Sequence, residues 1–122
     1  MTKVLVVDGD AAILDVIFIL LSENNYEVSC SSAGDIIAQI AQLQPDLILI
    51  DHFYSEAGEK SLCRQIKLSN QYMHIPVLLM STQNNAAFIA KSCGADDFIH
   101  KPFDITAFLK KVSDLADNLT IG

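Results

Sequence analysis

Positive charge is scarce in this sequence: eight Lys and Arg face fifteen Asp and Glu, leaving a formal net charge of −7 and no basic cluster. An acidic surface repels nucleic-acid phosphates, which argues against direct DNA or RNA binding. Cysteine is sparse too. Cys30, Cys63 and Cys93 are odd in number and far apart, with no CxxC among them. That argues against a disulfide framework and for reduced, mostly buried thiols in the cytoplasm. Long apolar runs are missing; the longest, Val16 to Leu21, is too short to span a bilayer. The N-terminus enters a strand directly, without the serial segments of a secretory leader. No repeat, low-complexity tract or interdomain linker appears. The expectation is a single soluble domain over 1–122, with a core of about 2–117 and a tail or linker start at 118–122.

What is there is apolar and periodic. Apolar residues make up 51% of the chain, enough for a sizeable core. Lys3-Val4-Leu5-Val6-Val7 is a β-branched run of the kind buried on both faces of a parallel sheet. Asp10 is placed to cap a helix from Ala11 to about Asn24. Tyr26 to Ser31 reads as a second strand. Ser32 with Asp35 resembles an acidic capping box, opening a helix that runs to about Gln44 and stops at Pro45. Leu47-Ile48-Leu49-Ile50 is a third strand ending at Asp51. A helix follows from about Glu59 to Ser69, then a strand from Pro76 to Met80 ending at Ser81. A short helix from about Asn84 to Cys93 closes on Gly94. Phe98-Ile99-His100 leads to Lys101-Pro102, and Asp104 caps a last helix reaching about Leu119. Strands alternating with helices imply a parallel sheet covered on both faces, with right-handed crossovers.

In open sheets of this type, ligands bind outside the carboxyl ends of the strands. Strand one delivers Asp8 and Asp10 there, strand three Asp51, strand four Ser81 and strand five Lys101. Crowded carboxylates repel one another, and a hard cation such as Mg²⁺ relieves that repulsion. A carboxylate can attack phosphorus to form an acyl phosphate. The metal and the Lys101 ammonium would stabilise the equatorial oxygens, and the Ser81 hydroxyl could bond the transferred group. Each residue alone says little; their joint arrival at strand ends says much.

The stretches VLVVDGD, QPDLILID, IPVLLMS and GADDFIHKPFD resemble those of response-regulator receiver domains of two-component signalling, over about residues 2–117. The resemblance implies a flavodoxin-like doubly wound sheet of order 2-1-3-4-5 with five helices. It makes Asp51 the phosphoryl acceptor, Ser81 the switch hydroxyl, Lys101 the family's lysine and Phe98 the aromatic switch residue. It implies Mg²⁺ held by Asp8, Asp51 and the backbone carbonyl of Phe53, and a cis Lys101-Pro102 bond. A histidine kinase or phosphotransfer protein would donate the phosphoryl group, and a downstream protein or output domain would read the switched face.

The chain also departs from that pattern. Gly9 stands where a second metal-binding acid is expected, which weakens Mg²⁺ binding. Asp10 is a secondary metal candidate, better read as a helix cap. The loop His52-Phe53-Tyr54-Ser55 lacks the usual Met-Pro. Glu59 replaces an expected glycine, with Gly58 one place early, and Ser81 to Gly94 is about two residues short of the family's usual length. Plain readings are expected for His52 (a solvated loop imidazole), for His74 and His100 (structural), and for Asp96 and Asp97 (loop solvation). The first helix is apolar all round, whereas packing on a sheet needs only a stripe of roughly 100°. Phe18 and Ile19 are therefore candidates for a homodimer or docking patch, against the plainer reading of scattered surface residues. Phe88 is a smaller candidate.

Three functions compete. The first is a phosphorylation-controlled receiver, expected to be a phosphoryl acceptor and no enzyme beyond at most its own phosphorylation and dephosphorylation. The second is a pseudo-receiver that binds partners without phosphate. The third is a haloacid-dehalogenase-like aspartyl phosphatase with Asp8 as nucleophile, which leaves Asp51 unexplained.

Overall fold

The computed structural model describes residues 1–52 and 61–121, with side chains described up to residue 117. In chain order the elements are β1 (Lys3–Val7), α1 (Ala11–Glu23), β2 (Glu27–Ser31), α2 (Ile36–Leu43) and β3 (Leu47–Asp51). They continue with α3 (Leu62–Leu68), β4 (Val77–Ser81), α4 (Ala86–Cys93), β5 (Asp97–His100) and α5 (Ile105–Ile121). All strands are parallel in one sheet of order β2-β1-β3-β4-β5. Because the order reverses between β1 and β3, the connections leave on opposite faces there and open a crevice at the carboxyl edge. Val7 pairs with Ile50, Asp51 with Met80 and Ser81 with His100, so the strand tips lie level along that edge.

The helix boundaries follow from capping chemistry. The Asp10 carboxylate accepts from the Ala12 and Ile13 N–H groups and starts α1. The helix α2 does not open at Ser32 as expected but at Ile36. Gly34 sits at φ 93°, a left-handed turn that breaks the chain after Ser32, and Asp35 becomes the cap by accepting from Ala38 N–H. Gln44, at φ 50°, ends α2 just before Pro45. The expected start of α3 at Glu59 lies outside the described residues; the described helix is capped by the Ser61 hydroxyl, which accepts from Arg64 N–H. Gly94, at φ 82°, ends α4 as expected, and a Cβ there would come within 3.3 Å of the Lys67 Cβ. Tyr26 is not in β2, because its N–H closes the end of α1 on the Leu21 carbonyl.

The sheet is buried on both faces, which is why its central strands read as unbroken apolar runs. On one face Val4, Val6, Leu49, Leu78 and Met80 pack against Ile17 and Leu21 of α1 and Phe108, Val112 and Leu115 of α5. On the other, Leu5, Val7, Ile48, Ile50 and Val77 pack against Ile36 and Ile40 of α2 and Leu62, Cys63 and Ile66 of α3. Cys63 and Cys93 are buried, and the Cys63 thiol donates to the Cys93 carbonyl at 3.5 Å; Cys30 is exposed. Asp96 and Asp97 do more than solvate a loop. The Asp96 carboxylate accepts from Val77 N–H and from the Lys67 ammonium, and Asp97 pairs with Lys111. Phe18 (48%), Ile19 (55%) and Phe88 (70%) are exposed, as the all-round apolarity of α1 and the pattern of α4 suggested.

Phe108 is fully buried and stacks on Phe103 with ring centroids 4.6 Å apart. Phe108→Ala should therefore cost about 3–5 kcal/mol in urea unfolding, by lost burial and a residual cavity. Phe88→Ala should stay within about 0.5 kcal/mol of wild type. Equal effects of the two substitutions would contradict this packing.

Candidate functional site

Three charged side chains from three strands meet at the carboxyl edge. Asp8 is the first residue past β1, and its N–H continues the ladder to the Ser31 carbonyl at 3.1 Å. Asp51 is the last residue of β3. Lys101 is the first residue past β5, held by its N–H to the Ser81 carbonyl at 2.8 Å. Its ammonium donates to Asp51 Oδ1 at 2.8 Å and, in a tighter contact, to Asp8 Oδ2. The second Asp8 oxygen accepts from Asp10 N–H at 2.9 Å. Asp8 is only 2% exposed, so its charge must be met by protein groups, and both its oxygens are.

The lysine responds to this setting. Burial acts against its charged form, but the hydrogen bonds and fields of Asp51 and Asp8 outweigh that penalty and raise its pKa above the ordinary 10.5. The site thus contains a fixed cation between two carboxylates. A carboxylate oxygen held at a strand tip beside a fixed cation is placed to attack an electrophilic phosphorus.

The remaining expected residues are placed around this centre. Ser81 is fully buried and its hydroxyl oxygen accepts from Gln83 N–H at 3.0 Å. It stands one residue beyond Met80, the cross-strand partner of Asp51. Phe98 is half-buried, edge-on to His100 at 5.8 Å, with the Lys111 ammonium 5.6 Å from its ring centre. It lies outside the charged cluster. Asp10 caps α1 and lends the cluster its N–H, not its carboxylate. Phe53 and the loop departures at 53–60 lie outside the described residues. The Lys101-Pro102 bond is cis.

His52 differs from its expected role as a solvated loop imidazole. Its side chain is 13% exposed, and Nδ1 lies 3.6 Å from Asp51 Oδ1. The only signal for this was its position directly after the strand end. The Asp97–Lys111 pair that flanks Phe98 joins residues fourteen apart on different elements, and no local pattern announces it.

Comparison with known proteins gives a family and a fold. A family model described as response regulator receiver domain matches residues 4–113. The chain is 32% identical over 118 residues to the "DNA-binding dual master transcriptional regulator RpaA" of Synechocystis, covering 94% of this chain and 49% of that protein. The chain spans about half the length of the curated relatives it matches. Among solved structures, it is similar to the signal receiver domain of a signal transduction histidine kinase from Syntrophus aciditrophicus. The identity there is 26%, the TM-score 0.84, and the match covers 97% of this chain and 92% of that one. The chemotaxis response regulator CheY4 of Vibrio cholerae has the same fold, with 24% identity, a TM-score of 0.79 and coverage of 94% and 98%.

Receiver domains typically hold Mg²⁺ at their acidic pocket. The described residues do not fit that ion well. Gly9 offers no side-chain donor, the Asp10 carboxylate is engaged as a cap, and Lys101 occupies Asp8 Oδ2 and Asp51 Oδ1. Among the described residues, no group of three acidic, His or Cys side chains is placed to hold a metal.

Lys101→Met strands the buried Asp8 charge and should destabilise the fold by about 2–4 kcal/mol at neutral pH; adding Asp8→Asn should recover most of the loss. The native pKa of Lys101 lies above its unfolded value of 10.5. Its contribution is therefore complete below that value and fades as pH rises through the raised one. Urea midpoints of wild type and Lys101→Met should converge only in strongly alkaline solution. A constant gap across that range, or none at neutral pH, would contradict the bridge.

Proposed function

The chain belongs to the response regulator receiver domain family, and from that premise we propose that it is a phosphorylation-controlled receiver whose acceptor is Asp51. The observation that carries this reading is the Lys101 ammonium on Asp51 Oδ1 at a strand tip. The donor is a phosphohistidine of a histidine kinase or phosphotransfer protein. An Asp51 oxygen forms the new P–O bond as the P–N bond to the donor imidazole breaks, and that imidazole, already protonated on its other nitrogen, leaves as the neutral base. Lys101 offsets the charge that gathers on the phosphoryl oxygens, and Asp8 keeps the lysine aimed.

Ser81 would then turn its hydroxyl from Gln83 N–H toward the phosphoryl group. Phe98, only half-buried, would move inward and leave the ammonium of Lys111. Such a change biases two existing states of the domain, which a downstream protein or output domain reads. Exposed Phe18, Ile19 and Phe88 are proposed contacts for a partner or second copy. Direct DNA or RNA contact is not proposed for this acidic domain; the DNA binding in the name of the Synechocystis relative belongs to a protein twice as long. No helix among the described residues is long and apolar enough to cross a membrane. A cytoplasmic site of action is proposed, since the donors are cytoplasmic phosphohistidines.

A second reading has its own support. Gly9 and the ammonium already seated on both carboxylates favour a pseudo-receiver that binds partners without phosphate. The phosphatase reading fares worse, because its nucleophile would be Asp8, whose two oxygens are both engaged. Acetyl phosphate or phosphoramidate, supplied with and without Mg²⁺, should add the mass of one phosphoryl group to wild type and none to Asp51→Asn. Absence of any adduct, with partner binding that survives Asp51→Ala, would replace the phosphorylation reading with the pseudo-receiver.

A further inference from the structure

The glycine at position 9 is not demanded by the backbone. Glycine is required where φ is positive, and the described glycines with positive φ are Gly34 and Gly94. Gly9 is exposed and lies between Asp8, a member of the charged cluster, and Asp10, whose N–H bonds to the Asp8 carboxylate. A side chain there would meet no conformational barrier of the left-handed kind. What glycine changes at this position is therefore chemical: it removes a donor group from the rim of the pocket.

The neighbouring carboxylate does not make up for it. Asp10 points its carboxylate at the first turn of α1, where it accepts from two N–H groups at 2.9 and 3.4 Å. Turning it toward the pocket would strip α1 of its cap, a loss on the order of 1 kcal/mol. Among the described residues two carboxylates then remain, Asp8 and Asp51, and one ammonium already spans them. A divalent ion has to displace that ammonium or share its oxygens, and each choice sets cation against cation.

We propose that residue 9 sets the metal affinity of this pocket, and that with glycine there Lys101, not a divalent cation, holds Asp8 and Asp51 together. The inference rests on the receiver reading only for which pocket is meant. It makes the resting domain indifferent to Mg²⁺ at concentrations that would saturate a pocket with a full acidic shell. It also places the cost of charge at the acceptor on one lysine.

The test is direct metal binding to the full chain, read without phosphorylation. Isothermal titration with Mg²⁺, and water-proton relaxation with Mn²⁺ as a paramagnetic probe, should show weak or unsaturated binding by wild type. Gly9→Asp should bind at least about tenfold more tightly, the effect of one added hard oxygen donor. Gly9→Glu serves as a second variant should the first fold poorly. For wild type alone, the thermal midpoint should be the same in excess Mg²⁺ and in chelator, whatever the variants do. Tight, saturable binding by wild type, from an acid supplied elsewhere in the chain, would overturn the proposal. So would a folded Gly9→Asp that binds no better than wild type. A chain that binds metal as expected here but never takes a phosphoryl group would sink the functional reading and leave this one standing.

Discussion

The ammonium of Lys101 between Asp8 and Asp51 is the contact on which the rest of the site depends. Asp8 is almost wholly enclosed, and an enclosed carboxylate without a partner costs several kcal/mol. The fold brings a cation to it from just past the tip of β5. β5 must lie beyond β4 with its tip level with theirs, and the bond from Lys101 N–H to the Ser81 carbonyl fixes that register. A parallel sheet is what allows it, because every strand then ends at the same edge. The charge pattern and the topology are therefore one requirement seen at two scales.

Much of this was legible beforehand, for a physical reason. A strand buried on both faces cannot alternate, so Val4 to Val7, Leu47 to Ile50 and Val77 to Met80 announce themselves as unbroken runs. The charged residues at their ends then fall together once the strands are parallel. The strand order came from the likeness to receiver domains, since periodicity alone does not order strands. The start of α2 was misplaced because Ser32 and Asp35 have capping-box spacing, and only the backbone at Gly34 shows which of them caps. His52 against Asp51 and Asp96 against Lys67 were out of reach, because long-range side-chain partners leave no trace in local pattern.

Two features pull the chain in different directions. The cluster of Asp8, Asp51 and Lys101 carries the proposal that the domain takes a phosphoryl group. Gly9 and the Asp10 cap thin the acidic shell that would hold a metal beside it. Lys101 links them, because its ammonium touches both carboxylates and offsets part of their charge in the resting pocket. A third acid would add to the negative charge left over, the situation that a hard cation relieves. The exposed apolar residues of α1 are a separate matter: Val16, Phe18 and Ile19 lie on the exposed side of the helix and leave an apolar strip on its surface.

The bridge itself can be watched through the ionisation of the one residue that makes it. Nuclear magnetic resonance titration of isotopically labelled Lys101 reports its pKa without reference to metal, phosphate or partner. The account requires a value above 10.5 in wild type that falls when Asp8 or Asp51 is replaced by Asn. A lysine that titrates at its ordinary value and ignores both replacements would contradict it.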